Sequence, residues 1–267
     1  MKEARVTTPA LARMKRAGEK IVMLTAYDFP FAHHFDRAGI DILLVGDSLG
    51  TCVQGHSTTL PVTLDEMIYH CRMVSRAARR CLVVGDMPFG SYQAGLEDAL
   101  ASACRFVKEG GAHAVKLEGG ERVADRIQAL TRMDIPVMGH IGLTPQSVHR
   151  MGGYRVQGRD PSSRERLLRD ARAVQEAGAF ALVLEGIPAA LAREITAAVE
   201  IPSIGIGAGI GCDGQVLVMH DLLGLGLEPP PRFAREYVNM AEIVTRAAKM
   251  YAEDVRNQKF PDEHESY

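Results

Sequence analysis

The sequence predicts a (β/α)₈ barrel, and three observations lead to this prediction. Apolar runs of strand length recur along the 267 residues, and four of them stop at a carboxylate: residues 42–47, 81–86, 114–118 and 181–185. An unbroken apolar run is typical of a strand that is buried on both faces of a parallel sheet. Helical segments alternate with the runs, and glycines precede three of them, at Gly39, at Gly110 and Gly111, and at Gly178. Eight such strands in about 250 residues match the size of this barrel.

The elements follow in chain order from apolar periodicity, caps and glycine stops. A short N-terminal helix is predicted at residues 8–16, with Gly18 at its end. Eight strands are predicted at residues 21–28, 41–47, 81–88, 115–118, 136–143, 181–185, 201–209 and 215–225. Helices are predicted at residues 29–38, 95–109, 121–133, 162–177, 188–199 and 232–251, with a further helix that begins at Thr63.

Two capping boxes and two irregular segments complete the predicted layout. Thr63 with Glu66, and Ser162 with Glu165, have the spacing in which two side chains cap the first turn of a helix. Residues 48–61 and 144–161 have no periodicity of their own. Structureless segments of this length are uncommon inside compact domains, so we expect functional loops at the entrance of a site.

A single barrel domain is expected at residues 1–255, followed by a polar, poorly ordered tail at residues 256–267. An open doubly wound sheet is the alternative fold, but it has one crevice at a switch point. Here six predicted strands end in acids, at Asp28, Asp47, Asp86, Glu118, Glu185 and Asp221. A barrel is favoured because it would bring these acids to one rim.

Composition excludes several classes of partner. The formal net charge is -2, with 31 basic and 33 acidic residues, and no basic block predicts nucleic-acid binding. The five cysteines form no Cys-x-x-Cys pair, so neither a disulfide framework nor a thiolate zinc site is expected. Residues 1–5 lack the apolar segment of a signal peptide, and no apolar run is long enough for a membrane span. We expect a cytoplasmic protein.

The predicted rim offers a site for a hard cation. Asp47, Asp86 and Glu118 form an all-oxygen ligand set without a neighbouring Cys or His cluster. Such a set suits Mg²⁺ better than zinc, and crowded carboxylates repel each other unless a cation or protons intervene. The structural alternative is that each acid caps a helix or accepts hydrogen bonds from backbone amides.

Three further residues are candidates for the chemistry. Lys116 precedes Glu118 by two positions, so both side chains should point to one face, where the lysine serves as a charge or forms a Schiff base. A structural ion pair with an acid is its alternative. Glu185 is a candidate general acid or base, or a solvated strand-end glutamate. His140 lies inside an apolar strand, where a satisfied core histidine is the more frequent explanation.

Several motifs resemble one enzyme family, the 3-methyl-2-oxobutanoate hydroxymethyltransferases (ketopantoate hydroxymethyltransferases). The motifs occur in family order over about residues 21–227 and include Val45-Gly-Asp-Ser-Leu-Gly50, Val115-Lys-Leu-Glu-Gly-Gly120, Gly139-His-Ile-Gly-Leu-Thr-Pro-Gln-Ser147 and Ile204-Gly-Ile-Gly-Ala-Gly209. Together they are far more specific than any one of them alone.

The resemblance implies a barrel similar to that of phosphoenolpyruvate mutase and a function in pantothenate biosynthesis. A hydroxymethyl group would pass from 5,10-methylenetetrahydrofolate to 3-methyl-2-oxobutanoate and give 2-dehydropantoate. A Mg²⁺ ion chelated by the oxo acid would stabilise the enolate that forms when the C3 proton leaves. The resemblance also implies a homodecamer of two stacked pentamers.

Residue roles carry over by motif match. The family's Mg²⁺ site would correspond to Asp47, Asp86 and Glu118, and its proton acceptor to Glu185. The contacts to the oxo acid would correspond to Asp47, Ser48, Asp86 and Lys116, with His140 as a further residue of the substrate pocket. Two other readings stay open: a Mg²⁺-dependent lyase or phosphonate-forming mutase on the same scaffold, and a non-catalytic sensor of an oxo acid or a folate.

Overall fold

The computed structural model describes residues 4–267. Met1 to Glu3, part of the stretch in which no signal peptide is expected, lie outside the described residues. The chain divides into two compact units, one that ends at Val218 and one that comprises Met219–Tyr267. The single domain at residues 1–255 stays a prediction. None of the helices in residues 4–267 has the length and apolarity needed to span a bilayer.

The first unit contains a closed parallel barrel. Its strands are β1 (Ile21–Thr25), β2 (Ile42–Val45), β3 (Leu82–Asp86), β4 (Ala114–Glu118), β5 (Val137–Gly142), β6 (Ala181–Glu185), β7 (Ser203–Ile206) and β8 (Gly214–Leu217). Each strand pairs in parallel with the next one in the chain, and β8 pairs with β1 to close the barrel. The predicted (β/α)₈ barrel is therefore confirmed.

Helices separate the strands from β1 to β7, whereas β7 and β8 follow each other without a helix between them. The helices of the first unit are α1 (Thr8–Ala17), α2 (Phe29–Arg37), α3 (Leu49–Cys52), α4 (Leu64–Ala77), α5 (Leu96–Lys108), α6 (Ala124–Arg132), α7 (Val148–Met151), α8 (Pro161–Glu176) and α9 (Ala189–Ala198). The second unit contains α10 (Met219–Leu223) and α11 (Met240–Arg256). Short 3₁₀ turns occur at Glu121–Val123, Pro145–Ser147 and Glu263–Glu265.

Local sequence signals explain most of the helix ends. The predicted capping box of α4 is present: the Glu66 N–H donates to the Thr63 side chain, and the Thr63 N–H donates to Glu66. The predicted end of α1 is also confirmed, because Gly18 adopts the left-handed conformation with φ 72°. Apolar side chains from the strands fill the barrel, among them Leu44, Val84 and Met138.

Two predicted acid-terminated strands are wrong. Strand β1 ends at Thr25, and Asp28 instead caps α2 by accepting the Phe31 N–H at 2.9 Å. Strand β8 ends at Leu217, so Asp221 lies in α10 and not at the end of a strand. Aspartate is a preferred helix-capping residue, so Asp28, just after a strand, caps the next helix and does not end the strand.

Other boundaries also differ from the predictions. Strand β2 ends at Val45, so Asp47 follows this strand by two residues and does not end it. Asp160 and not Ser162 caps α8, since it accepts the Ser163 N–H at 3.0 Å. The two segments predicted as irregular contain short helices, α3 in residues 48–61 and α7 in residues 144–161. The last helix begins at Met240 and not at residue 232. Eight residues without helical structure follow Pro229, Pro230 and Pro231, and Asn239 provides the cap of the helix.

The amino ends of the strands are joined by acids that each accept several hydrogen bonds. Asp36 accepts the N–H groups of Arg80 and Cys81 at 2.9 and 2.7 Å. Asp213 accepts the Lys15 ammonium at 2.8 Å, together with the N–H and hydroxyl of Ser203. We call Asp36, Asp213 and their partners the amino-end rim.

Candidate active site

The carboxyl ends of β2 to β6 bring most of the predicted site residues together. Asp86 pairs in register with Lys116 on β4, and Glu118 pairs in register with His140 on β5. Residues in register on parallel strands lie side by side, so these four side chains become neighbours on the inner face of the barrel. We call Asp47, Asp86, Lys116, Glu118, His140 and Glu185 the acid cluster.

Lys116 and Asp86 form a buried ion pair. The Lys116 ammonium donates to Asp86 Oδ1 at 2.6 Å, and both side chains are almost completely buried. Burial acts to lower the pKa of Lys116, but the carboxylates of Asp86, Glu118 and Asp47 raise it overall. Burial also raises the pKa of Asp86, against the attraction of Lys116. Lys116 therefore stays protonated and acts as a fixed positive charge, which disfavours the Schiff-base alternative.

Asp47 is a second buried acid of the cluster whose pKa is raised. It follows β2 by two residues and is buried, and its N–H donates to Asp86 Oδ2 at 3.2 Å. Burial, followed by repulsion from Asp86 and Glu118, raises its pKa to about 8. Three carboxyl groups thus stand within electrostatic reach of one another with one lysine among them, which is an excess of negative charge in a desolvated place.

His140 lies between two acids. Its Nδ1 is 3.5 Å from Glu118 Oε1 and its Nε2 is 3.2 Å from Glu185 Oε2, although neither contact has the geometry of a hydrogen bond. Burial and Lys116 act to lower the pKa of His140, but the two glutamates raise it to about 9. His140 therefore lies between Glu118 and Glu185 and contacts both, so the histidine is more than a core side chain.

Ser48 lies next to Asp47 in the chain, but its hydroxyl contacts a different residue. Ser48 Oγ is 2.8 Å from the hydroxyl of Tyr27, a buried residue between β1 and α2. Burial raises the pKa of Tyr27, so its phenol stays protonated and can share a hydrogen bond with the serine. The predicted contact of Ser48 with the oxo acid stays a prediction.

The sequence reasoning missed Gln146, which connects the acids of the cluster. Its amide nitrogen donates to Asp47 Oδ2 and to the Met87 carbonyl, both at 2.9 Å, and its backbone N–H donates to Glu118 Oε2 at 3.0 Å. Its amide oxygen accepts the Tyr92 hydroxyl at 2.7 Å. A neutral amide gives no charge signal, and its segment was predicted to be irregular. Its position in the motif Gly139–Ser147 was the one available clue.

The cluster fits an oxygen-binding cation in its chemistry. Glu118 Oε1 is buried and has no hydrogen-bond partner in residues 4–267, as expected for an oxygen atom that coordinates a cation. The neighbouring donors are carboxylate oxygens, which Mg²⁺ prefers. Within that range, no three His, Cys, Asp or Glu side chains converge as a ready coordination group. Asp47, Asp86 and Glu118 thus match a cation in type but do not form a finished three-carboxylate cage.

The chain is similar in sequence to one family of enzymes. A family model described as ketopantoate hydroxymethyltransferase matches residues 5–263. The 3-methyl-2-oxobutanoate hydroxymethyltransferase of Syntrophotalea carbinolica is 59% identical over 265 residues, which cover 99% of each chain. The enzyme of the same name from Geobacter metallireducens is 57% identical over 257 residues, which cover 96% of each chain.

Solved structures support the fold. A phosphonopyruvate hydrolase in complex with oxalate and Mg²⁺ superimposes with a TM-score of 0.62 and 12% identity, over 97% of this chain and 92% of that one. A 2,3-dimethylmalate lyase of the PEP mutase/isocitrate lyase superfamily gives a TM-score of 0.61 and 18% identity, over 97% and 91%. At these identities the likeness shows a shared barrel fold.

Proposed function

The chain belongs to the ketopantoate hydroxymethyltransferase family, and we propose that its acid cluster transfers a hydroxymethyl group from 5,10-methylenetetrahydrofolate to 3-methyl-2-oxobutanoate. The product is 2-dehydropantoate, for pantothenate synthesis. The observation that carries the proposal is the buried Lys116–Asp86 pair beside Asp47 and Glu118 at the carboxyl ends of the strands. In barrels of this type, that end holds the active site.

Asp47, Asp86 and Glu118 would hold a Mg²⁺ ion. Two observations support this role: Glu118 Oε1 has no hydrogen-bond partner within residues 4–267, and the three carboxyl groups repel each other. Because the three side chains do not converge on one point, we propose that water completes the contact of at least one of them. When bound, the cation would draw electron density from the ketone and carboxylate oxygens of the oxo acid.

Lys116, Ser48 and His140 would position the oxo acid. The fixed charge of Lys116 lies beside Asp86 and attracts the negative charge that develops on the substrate when its C3 proton leaves. The Ser48 hydroxyl, oriented by Tyr27, would donate to the substrate carboxylate. His140 lies close to Glu118 and Glu185 and so places the acid–base group next to the proposed metal-holding acid.

Glu185 would move the proton. It is the least buried acid of the cluster and its Oε2 faces His140 Nε2 at 3.2 Å. In the proposed reaction, Glu185 accepts the proton from C3, and the resulting carbon nucleophile attacks the methylene carbon of the donor. The carbon–nitrogen bonds to tetrahydrofolate then break, and water supplies the hydroxyl group of the product. His140 would hold the Glu185 side chain in place, since its Nε2 lies 3.2 Å from Glu185 Oε2.

The assembly that the resemblance implies and the location expected from the sequence are further parts of the proposal. We propose a cytoplasmic homodecamer of two stacked pentamers. Light scattering after gel filtration tests the assembly, with an expected mass ten times the 29.1 kDa of the chain. A mass of one or two chains in dilute buffer would contradict it.

A direct assay tests the function. Purified protein is mixed with 3-methyl-2-oxobutanoate, 5,10-methylenetetrahydrofolate and Mg²⁺, and the release of tetrahydrofolate and 2-dehydropantoate is measured by mass spectrometry. We expect both products in equal amounts, and their loss when a chelator removes the cation. Cleavage of a C–C or P–C bond in a substrate without folate would favour the hypothesis of a lyase or a mutase. Binding of both substrates without turnover would favour the sensor.

A further inference from the structure

A cavity of about 300 Å³ opens beside the acid cluster, between the segments that follow β4 and β5 and the helices α7 and α8. Four of the side chains that line it are arginines, and two are acids. They are Arg122, Arg150, Arg166, Arg169, Glu121 and Asp170. The arginines come from three segments, because Arg122 lies in a 3₁₀ turn, Arg150 in α7, and Arg166 and Arg169 one turn apart on α8.

These four guanidinium groups have no hydrogen bond or ion pair within residues 4–267. Other arginines do: Arg80 binds Asp41 at 2.8 Å, and Arg105 binds Asp65 at 2.8 Å. Of the two acids in the cavity wall, Asp170 already accepts the Glu121 N–H at 2.9 Å through Oδ1. The cavity therefore carries an excess of unpaired positive charge.

The arrangement keeps like charges close together. Burial, followed by repulsion from Arg122 and Arg166, lowers the pKa of Arg150. Solvated surface arginines usually spread apart, whereas here three chain segments hold them around one concave space. An anion with more than one carboxylate would remove the repulsion, since guanidinium groups bind carboxylates with two parallel hydrogen bonds.

A second cavity of about 450 Å³ lies next to the first and reaches the acid cluster at Glu118. The two share Arg122 and Arg150, and the second also reaches Glu118 and Gln146. Its wall includes the apolar side chains of Leu60, Phe89 and Val123. A ligand that extends through both would have an apolar, flat part near Glu118 and an anionic part at the arginines. The oxo acid, with a single carboxylate and five carbons, is too short for this.

We propose that the arginine-lined cavity binds the carboxylates of the glutamate tail of the one-carbon donor, while the adjoining cavity receives its ring system. This inference rests on the proposed function, because it assumes a folate donor. It assigns Arg122, Arg150, Arg166 and Arg169 to donor binding, and it explains why positive charge accumulates next to an acidic centre. A tail of several glutamates would engage more of the arginines than a tail of one.

Donors of different tail length test the proposal. The KM values are measured for 5,10-methylenetetrahydropteroate, which has no glutamate, and for the forms with one and three glutamates. The variants are Arg166→Gln and Arg169→Gln, because these two arginines line only the first cavity and each substitution removes one charge. We expect the KM for the triglutamate donor to rise about tenfold in each, as for the loss of one charge-assisted contact. The KM for the pteroate donor, the KM for the oxo acid and kcat should be unchanged.

Arg172→Gln is the matched control. Arg172 is exposed on the same helix, has no partner within residues 4–267 and lines neither cavity. Its removal changes the net charge equally and should leave every KM at the wild-type value. Equal effects on the donors with and without a tail, or no effect of the cavity variants on either, would overturn the proposal.

A binding measurement separates this proposal from the proposed function. Calorimetry with tetrahydropteroyltriglutamate and with tetrahydropteroate needs no oxo acid and no turnover. We expect the wild type to prefer the triglutamate, and the cavity variants to lose that preference. If the protein binds with this preference but forms no product, the proposed reaction fails and the tail site stands. If the wild type shows no preference, the tail site fails whatever the activity.

Discussion

The two rims of the barrel use the same residue types in opposite ways. At the amino-end rim, Asp213 accepts hydrogen bonds from Lys15 and Ser203, and Asp36 accepts two backbone N–H groups. Although burial acts to raise the pKa of Asp36, the donors of Cys81 and Arg80 lower it overall. At the carboxyl ends of the strands, the pKa of Asp47 is raised to about 8.

We therefore distinguish acids that stabilise the fold from acids that we propose to bind a ligand. A carboxylate with matched donors contributes to stability, whereas buried carboxyl groups that repel each other reduce it. Natural proteins retain such unfavourable groups at functional sites. The comparison therefore predicts that substitutions at the acid cluster reduce activity, and that substitutions at the amino-end rim reduce stability.

The largest effect is expected for Glu185→Gln. The amide keeps the shape of the side chain but cannot accept a proton, so kcat should fall about 10²- to 10⁴-fold. Mg²⁺ binding measured by calorimetry should be retained. Glu200→Gln, at an exposed glutamate that precedes β7, is the control and should keep full turnover. Unchanged turnover in Glu185→Gln would remove this residue from the mechanism.

Glu118→Gln should weaken the affinity for Mg²⁺ by about 10- to 100-fold, because one donor oxygen of the proposed set becomes an amide. Excess Mg²⁺ should restore part of the turnover, a result that loss of folding would not produce. Titration of the cation at fixed oxo acid measures both effects. An unchanged affinity would exclude Glu118 as a residue that holds the metal.

Gln146→Leu should lower turnover about tenfold, since the amide group that donates to Asp47 is removed while the acids themselves remain. The backbone N–H that donates to Glu118 is retained in this variant, which limits the effect. Steady-state kinetics at saturating Mg²⁺ measure it. A loss as large as that of Glu185→Gln would mean that Gln146 takes part directly in the chemistry.

The smallest effect concerns pH and His113, the residue that precedes β4. His113 Nδ1 accepts the Val83 N–H at 2.9 Å, and burial, followed by Arg5, lowers the pKa of the imidazole. The unfolded chain, with a pKa of about 6.5, binds the proton more readily, so stability should decrease as the pH falls below that value. Urea unfolding of the wild type and of His113→Gln near pH 7.5 and near pH 5.5, roughly one unit either side, measures the difference. A steeper decrease in the variant would contradict the assignment.

The sequence was sufficient for the barrel because apolar runs and glycine stops depend on local physics. The positions of Asp86, Glu118 and Glu185 at strand ends followed from the same pattern, and the structure places them there. Asp28 looked equivalent, but it caps α2. A strand-end acid and a helix cap differ by only two or three residues in the chain, so periodicity could not distinguish them.

The sequence pattern could not predict contacts between segments that are distant in the chain. Gln146 reaches Asp47 across 99 positions of the chain, and no local rule predicts such a contact for a neutral amide. The arginine-lined cavity has the same origin, because Arg122, Arg150 and Arg166 lie in separate segments without a shared motif. Only the closed barrel and the packing of α7 and α8 place them around one space.

The most direct test of the contrast between the rims compares Asp47→Asn with Asp213→Asn. Turnover and the free energy of unfolding in urea are measured for both. Asp47→Asn should lose at least about 100-fold in kcat and keep or increase its stability, since a repelled carboxyl group becomes neutral. Asp213→Asn should lose about 2 kcal/mol of stability and keep the turnover of the folded enzyme. Equal losses of stability in both variants, or full turnover in Asp47→Asn, would contradict the account.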